Sequence, residues 1–246
     1  MKHIGIALTL ALVMASASRA ATIDYVGADI DGTQAAWRTT SVAKPLDADG
    51  DNVYGTAGYL MPMNSYHPGG MPPEAYYNTA TEPYRLNPSF ATLEWAQDWS
   101  GSFSDWGEWP RSMDNPVSGG SFTYGGMYGV SPQDFVRVTL TSAGSFRLGV
   151  WIDGQNGGEY ATALTVRTSD NSVTGTSATA DANNVIDWYF WDVTGAAGDV
   201  FLVTATKSSG GWVDLGGITI DAIPEPATMS LLVLGGVAAL VRRKRR

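Results

Sequence analysis

The chain has 246 residues, 24 Asp and Glu against 15 Lys and Arg, a formal net charge of −9 and no cysteine. Without cysteine there are no disulfide staples, thiolate nucleophiles or cysteine-ligated metals, and two histidines, His3 and His67, are too few for a histidine-clustered zinc site. An acidic surface repels phosphate backbones and anionic lipid, so nucleic acid binding is not expected.

At the start of the chain, Lys2 supplies a charged residue, Ile4 to Met14 an apolar run, and Ser18-Arg19-Ala20 a small-residue cleavage site before Ala21. That order is the order of a secretory signal, with an alternative cut after Ala17. It predicts a signal peptide over 1–20, an exported domain over 21–222 and a separate C-terminal segment over 223–246. Of the acidic residues only Glu225 lies outside the predicted domain, whereas Lys2, Arg19 and the five cationic residues ending the chain all do. The domain then keeps 23 acidic and 8 basic residues, a net charge near −15.

Alternating β-formers dominate the domain, and no long stretch has the 3.6-residue apolar period of an amphipathic helix. Ile23–Val26 reads as the first strand. Leu46–Gly55 is an acidic turn in which Asp47, Asp49 and Asp51 recur every second residue around Gly50. Such carboxylates can wrap a hard cation, making Ca²⁺ the candidate cofactor; the alternative is a solvated Asx-rich turn. The spacing is not that of an EF-hand, because the glycine comes early and the twelfth position is Gly58 rather than Glu. After a strand near Tyr59–Met61, residues 61–88 carry six of the 12 prolines and read as a long irregular excursion. His67 lies within it, in Tyr66-His-Pro-Gly-Gly70. No Gly-x-Ser-x-Gly elbow accompanies it, so Ser-His-Asp chemistry is not expected.

Leu93 to Pro110 is the densest stretch. Four times a carboxylate directly precedes a tryptophan: Glu94-Trp95, Asp98-Trp99, Asp105-Trp106 and Glu108-Trp109. Flat rings beside acceptors suit the apolar faces and hydroxyl rims of sugars, so these eight residues are candidate ligand contacts. Two other readings stay open: rings that cover the core while the acids are solvated, and a protein-contact patch. In strand geometry successive side chains point to opposite faces, so carboxylate and ring converge only in a loop.

From Ser121 onward short alternating runs follow one another: 121–124, 135–140, 145–152, 161–167, 185–191, 200–206 and 212–220. Gly/Asn/Asp/Ser clusters such as Asp153–Gly158 and Lys207–Gly211 separate them. This pattern predicts an all-β domain, a β-sandwich of the jelly-roll kind, more readily than two units divided near 116–131. The closing run Gly211–Asp221, where small residues precede an apolar-polar alternation, resembles jelly-roll, galactose-binding-like carbohydrate-binding modules. The resemblance implies a sandwich and transfers no binding residue. Laminarinase-type glycosidases show Glu-x-Asp-x-x-Glu on one strand. Here Asp105-Trp-Gly-Glu108 matches the end of that motif, but Phe103 stands at the first glutamate, which removes the nucleophile in that family's logic.

The tail reads in three parts: Pro224-Glu225-Pro226, an apolar run from Ala227 to Val241, and Arg242 to Arg246. The two prolines hold Glu225 in an extended segment. A 15-residue helix rises roughly 22 Å, short of a hydrocarbon core of roughly 30 Å, but snorkelling basic residues and a thinned bilayer allow insertion with the cationic end cytoplasmic. Together these parts look like the PEP-CTERM sorting signal of Gram-negative bacteria. The resemblance implies recognition by an exosortase, a membrane-embedded cysteine peptidase, transient anchoring in the inner membrane, and delivery to the cell surface or extracellular matrix. The expected function is therefore a non-catalytic exported sandwich that contacts polysaccharide or matrix. The alternatives are a structural matrix protein without a specific ligand and, third, a secreted glycan-active enzyme.

Overall fold

In the computed structural model the described residues are 20–30, 54–61, 84–96, 102–104, 111–114, 121–124, 126–129, 133–153, 162–179, 186–207 and 213–223. They form sixteen strands: β1 (Thr22–Ile30), β2 (Gly58–Leu60), β3 (Arg85–Leu86), β4 (Ala91–Trp95), β5 (Ser102–Ser104), β6 (Arg111–Asp114), β7 (Ser121–Tyr124), β8 (Gly126–Gly129), β9 (Gln133–Leu140), β10 (Gly144–Asp153), β11 (Thr162–Thr168), β12 (Ala178–Thr179), β13 (Ile186–Gly195), β14 (Val200–Lys207), β15 (Val213–Leu215) and β16 (Gly217–Ala222). There is no helix among the described residues, which are all-β.

The strands build a six-stranded sheet, β1-β13-β10-β16-β2-β3, and a five-stranded sheet, β12-β11-β14-β9-β4. A three-stranded ribbon, β15-β8-β5, and the hairpin β6-β7 complete the set. All pairings between named strands are antiparallel. From β9 through β16 the long strands alternate between the two large sheets, wrapping the chain around a common interior as jelly-roll sandwiches do.

The period-2 pattern explains the interior. Phe146, Leu148 and Val150 of β10, Tyr189, Trp191 and Val193 of β13, and Ile218 and Ile220 of β16 turn inward from the larger sheet. Leu93 and Trp95 of β4, Val136 and Val138 of β9, Leu164 and Val166 of β11, and Phe201 and Val203 of β14 face them from the smaller one. Each fully buried side chain of this size contributes about 1.5–3 kcal/mol, which is how a sandwich without disulfides holds together. The indole of Trp191 is fully buried, and its Nε1 donates to the Thr176 carbonyl at 3.0 Å.

The larger sheet also buries part of its outer face. Tyr59, Met61, Trp151, Trp188 and Phe190 form a second apolar cluster there, with Tyr54, Tyr84 and Leu86 packed against it. Trp188 stacks near-parallel on Trp151 at 5.8 Å and on Phe190 at 6.3 Å, while Tyr54 tilts over Phe190 at 4.8 Å. The apolar run Trp188-Tyr-Phe-Trp191 can serve both clusters because its neighbours point to opposite faces. Gly149 leaves room at this surface: a Cβ there would overlap Thr219 Oγ1 and come within 3.0 Å of the Phe190 ring.

Candidate functional site

The strand registers sort the molecule into two ends. At one end β10 begins beside the end of β13 (Gly144 opposite Gly195), β1 begins beside β13 (Thr22 opposite Thr194) and β16 ends beside β10 (Ala222 opposite Phe146). The connections here are short. Residues 141–143 join β9 to β10, 196–199 join β13 to β14, and 169–173 follow β11. Thus the predicted first residue of the exported domain and its last strand residue emerge at the same end, and β16 is an interior strand of the sheet, between β10 and β2.

The opposite end is where β1, β2, β4, β10 and β14 stop, at Ile30, Leu60, Trp95, Asp153 and Lys207, and where β3, β9, β11 and β13 begin, at Arg85, Gln133, Thr162 and Ile186. Ten residues of β10 at about 3.3 Å each separate the two ends by roughly 30 Å. Two elements keep the larger sheet in register here and at its edge. Met61 N–H donates to the Tyr84 carbonyl at 2.8 Å, closing β2 on β3. Asp221 of β16 accepts from the N–H groups of Gly55 and Thr56, both at 2.8 Å, and from the Thr56 hydroxyl at 2.8 Å, tying the approach to β2 to the last strand.

Of the eight tryptophan-segment residues, Glu94 and Trp95 lie on β4. Trp95 is only 4% exposed and belongs to the main core, whereas Glu94 is on the opposite, partly exposed face. Carboxylate and ring diverge because β4 is a strand, and at this position the ring covers the core instead of offering a sugar platform. Trp99, Trp106, Trp109, Asp98, Asp105 and Glu108 lie outside the described residues, as do Asp47, Asp49 and Asp51, His67, and Pro224, Glu225 and Pro226. Among the described residues no three metal-capable side chains come together, and no helix is long and apolar enough to cross a membrane.

One cavity gives the first end a chemical character. It measures about 450 Å³ and is lined by Ala20, Ala21, Thr168 to Asp170, Ser172, Val173, Ala196 and Gly198 to Val200. Asp170 Oδ1 accepts from Thr168 Oγ1 at 2.7 Å, from Ser172 Oγ at 2.8 Å and from Ser172 N–H at 3.0 Å. These donors, the Thr168 hydroxyl foremost, hold its carboxyl down at about 2. Asp199 Oδ2 caps the neighbouring turn by accepting from Ala196 N–H at 2.8 Å. Sequence reading missed this pair: Asp170 and Asp199 are 29 positions apart in unremarkable turns, and only the β11–β14 pairing brings them together.

Fold and termini define a β-sandwich joined at once, without a spacer, to a C-terminal sorting segment. Residues 222–246 match the PEP-CTERM protein-sorting motif, so the tail is such a motif and begins at the last paired residue of β16. No curated protein matches the chain. Among solved structures, the chain is similar to a carbohydrate binding module (CBM6cm-2) from Cellvibrio mixtus lichenase 5A in complex with cellotriose. The two share 19% identity over 54% of this chain and 98% of that one, with a TM-score of 0.26. Similarity at that level does not bring the module's cellotriose to this chain.

Proposed function

We propose that the protein is an exported, non-catalytic β-sandwich delivered by its C-terminal signal to the cell surface or extracellular matrix of a Gram-negative bacterium, where it contacts polysaccharide or other matrix components. The sorting motif over 222–246 carries the reading, because it implies recognition by an exosortase and hence export. In this account residues 1–20 are removed as a signal peptide, and Ala227–Val241 holds the chain in the inner membrane until it is processed. A predicted domain charge near −15 then favours a soluble released form and cations over anionic lipid.

The polysaccharide contact rests on Trp99, Trp106 and Trp109 with Asp98, Asp105 and Glu108, which follow β4 from the end remote from the tail. Trp95 is not part of it, since its ring lies in the core. Binding to a panel of immobilised polysaccharides tests this. Loss of binding in Trp99→Ala or Trp106→Ala, with thermal unfolding unchanged, is the expected result. Self-association without any glycan binding would favour the structural reading instead. Turnover of a polysaccharide abolished by Glu108→Gln would overturn the non-catalytic assignment.

A further inference from the structure

Export itself creates a charged group that the sequence does not show. Hydrolysis of the Ala20–Ala21 bond breaks the C–N link. Water supplies the oxygen that makes Ala20 a carboxylate, and the Ala21 nitrogen becomes an amine that is protonated at neutral pH. Ala20 and Ala21 both line the cavity that contains Asp170 and Asp199. Ala21 is half-buried against the main core and Thr22 is already paired with Thr194, so the position of Ala21 is fixed by the sheet.

We infer that the α-ammonium freed at Ala21 is bound in this cavity by the carboxylates of Asp170 and Asp199, so that removal of the leader locks the first strand onto the turns after β11 and β13. Two independent observations meet here. The small-residue pattern Ser18-Arg19-Ala20 predicts a new terminus at Ala21, with the cut after Ala17 as the alternative, and the fold, for unrelated reasons, places Ala21 in the wall of a cavity with two carboxylates and no Lys, Arg or His. Departure of Ala20 opens the same wall. An ammonium offers three donors, and both aspartates keep lone pairs beyond those used by their turns. The further charges nearby are Asp24 and Asp192, which lie opposite each other in register, and Arg167, whose guanidinium donates to the Thr168 carbonyl and Asn171 Oδ1 of the Asp170 turn and is paired with Asp134. Asp192 is held by Arg147 at 2.8 Å. Before cleavage the same nitrogen is a neutral amide, so the contact exists only in the processed protein.

The inference rests on the export reading, and the experiment separates the two. The protein is purified after export from a host that processes it, and its first residue is read by mass spectrometry. A start other than Ala21 would overturn the proposal and leave export standing, whereas a retained Met1 would overturn export as well. With Ala21 confirmed, the α-amine is tagged by reductive methylation and titrated by NMR. The expected midpoint lies about one pH unit above the ordinary α-amino value of about 7.7–8.0. Asp170→Asn and Asp199→Asn should each lower it. The extra thermal stability should be present below about pH 8 and vanish as pH rises through the elevated midpoint, because a raised folded value stabilises only while the amine is charged. Should Asp199→Asn fail to fold through loss of its turn cap, Asp170→Asn and the pH profile of the parent still decide. A midpoint at the ordinary value, or one unmoved by both substitutions, would overturn the capture while leaving export standing.

Discussion

At the scale of single residues, the polar side chains of the described turns and strand faces do measurable work. Asp170 is the clearest. Its carboxyl is held at about 2 by the Thr168 hydroxyl and by Ser172, so the charged form is favoured in the folded chain. A depressed folded value gives stability that is present above the ordinary carboxylate range of about 4 and lost as pH falls towards 2. Asp170→Asn should therefore lower the melting temperature at pH 6, with the gap to the parent closing between about pH 4 and 2 in calorimetric scans. A gap that stays constant across that range would show that these hydrogen bonds do not favour the charged form. The Arg167–Asp134 pair on the smaller sheet is a second case. Its N–O separation is 2.5 Å, both side chains are at most 20% exposed, and Thr204 bonds to each partner. Asp134→Ala leaves the guanidinium and the Thr204 hydroxyl without that acceptor. It should cost about 1–3 kcal/mol in urea unfolding, and a cost below a few tenths would mean solvent replaces the carboxylate freely.

Among the elements, β10 and β13 organise the larger sheet, and their sensitivity follows from what each face carries. Trp191→Ala removes a fully buried indole, its hydrogen bond to Thr176 and its contact with Tyr25, and should cost about 3–5 kcal/mol. Gly149→Ala pushes a methyl group into Thr219 and the Phe190 ring on the outer face, and should cost about 1–3 kcal/mol. Denaturant midpoints read both, and a neutral Gly149→Ala would show that the outer cluster yields at little cost. These long strands were legible in the sequence because alternation is a direct imprint of a two-faced sheet: 135–140, 145–152 and 200–206 each fall within a strand, and 161–167 overlaps β11. Short elements were legible only in part: β2 and β7 match the runs read at Tyr59–Met61 and 121–124, but β3 and β4 went unread. β3 has two residues and no period to detect, and β4 was hidden inside a segment that drew attention for its tryptophans. The run read as one strand over 212–220 is two, β15 and β16. Gly216 packs against Trp151 and Gly217 adopts a φ of 146°, which breaks the alternation and lets the chain change sheets.

For the whole molecule, the arrangement of ends matters more than any one residue. Ala21 and Ala222 leave the same end of the sandwich, and only Ile223 separates the paired end of β16 from the Pro-Glu-Pro motif. Under the anchoring proposed above, that end of the sandwich is the one facing the bilayer, and β4, which leads into the tryptophan segment, ends roughly 30 Å away. The tail was readable from sequence because its three parts are contiguous. The shared exit, the aspartate pair at the cavity and the outer aromatic cluster were not, because each depends on strands that meet only through long-range pairing. Asp221, for example, bonds to Gly55 across 166 positions.

The central claim, that the protein is an exported sandwich whose tail is a processed sorting signal, is tested most directly by the intact mass of the mature protein recovered from its own host. The account predicts a chain that has lost both the leader and the Arg242–Arg246 end. A mature protein that still carries Arg246 would contradict it and leave the tail as an ordinary membrane anchor.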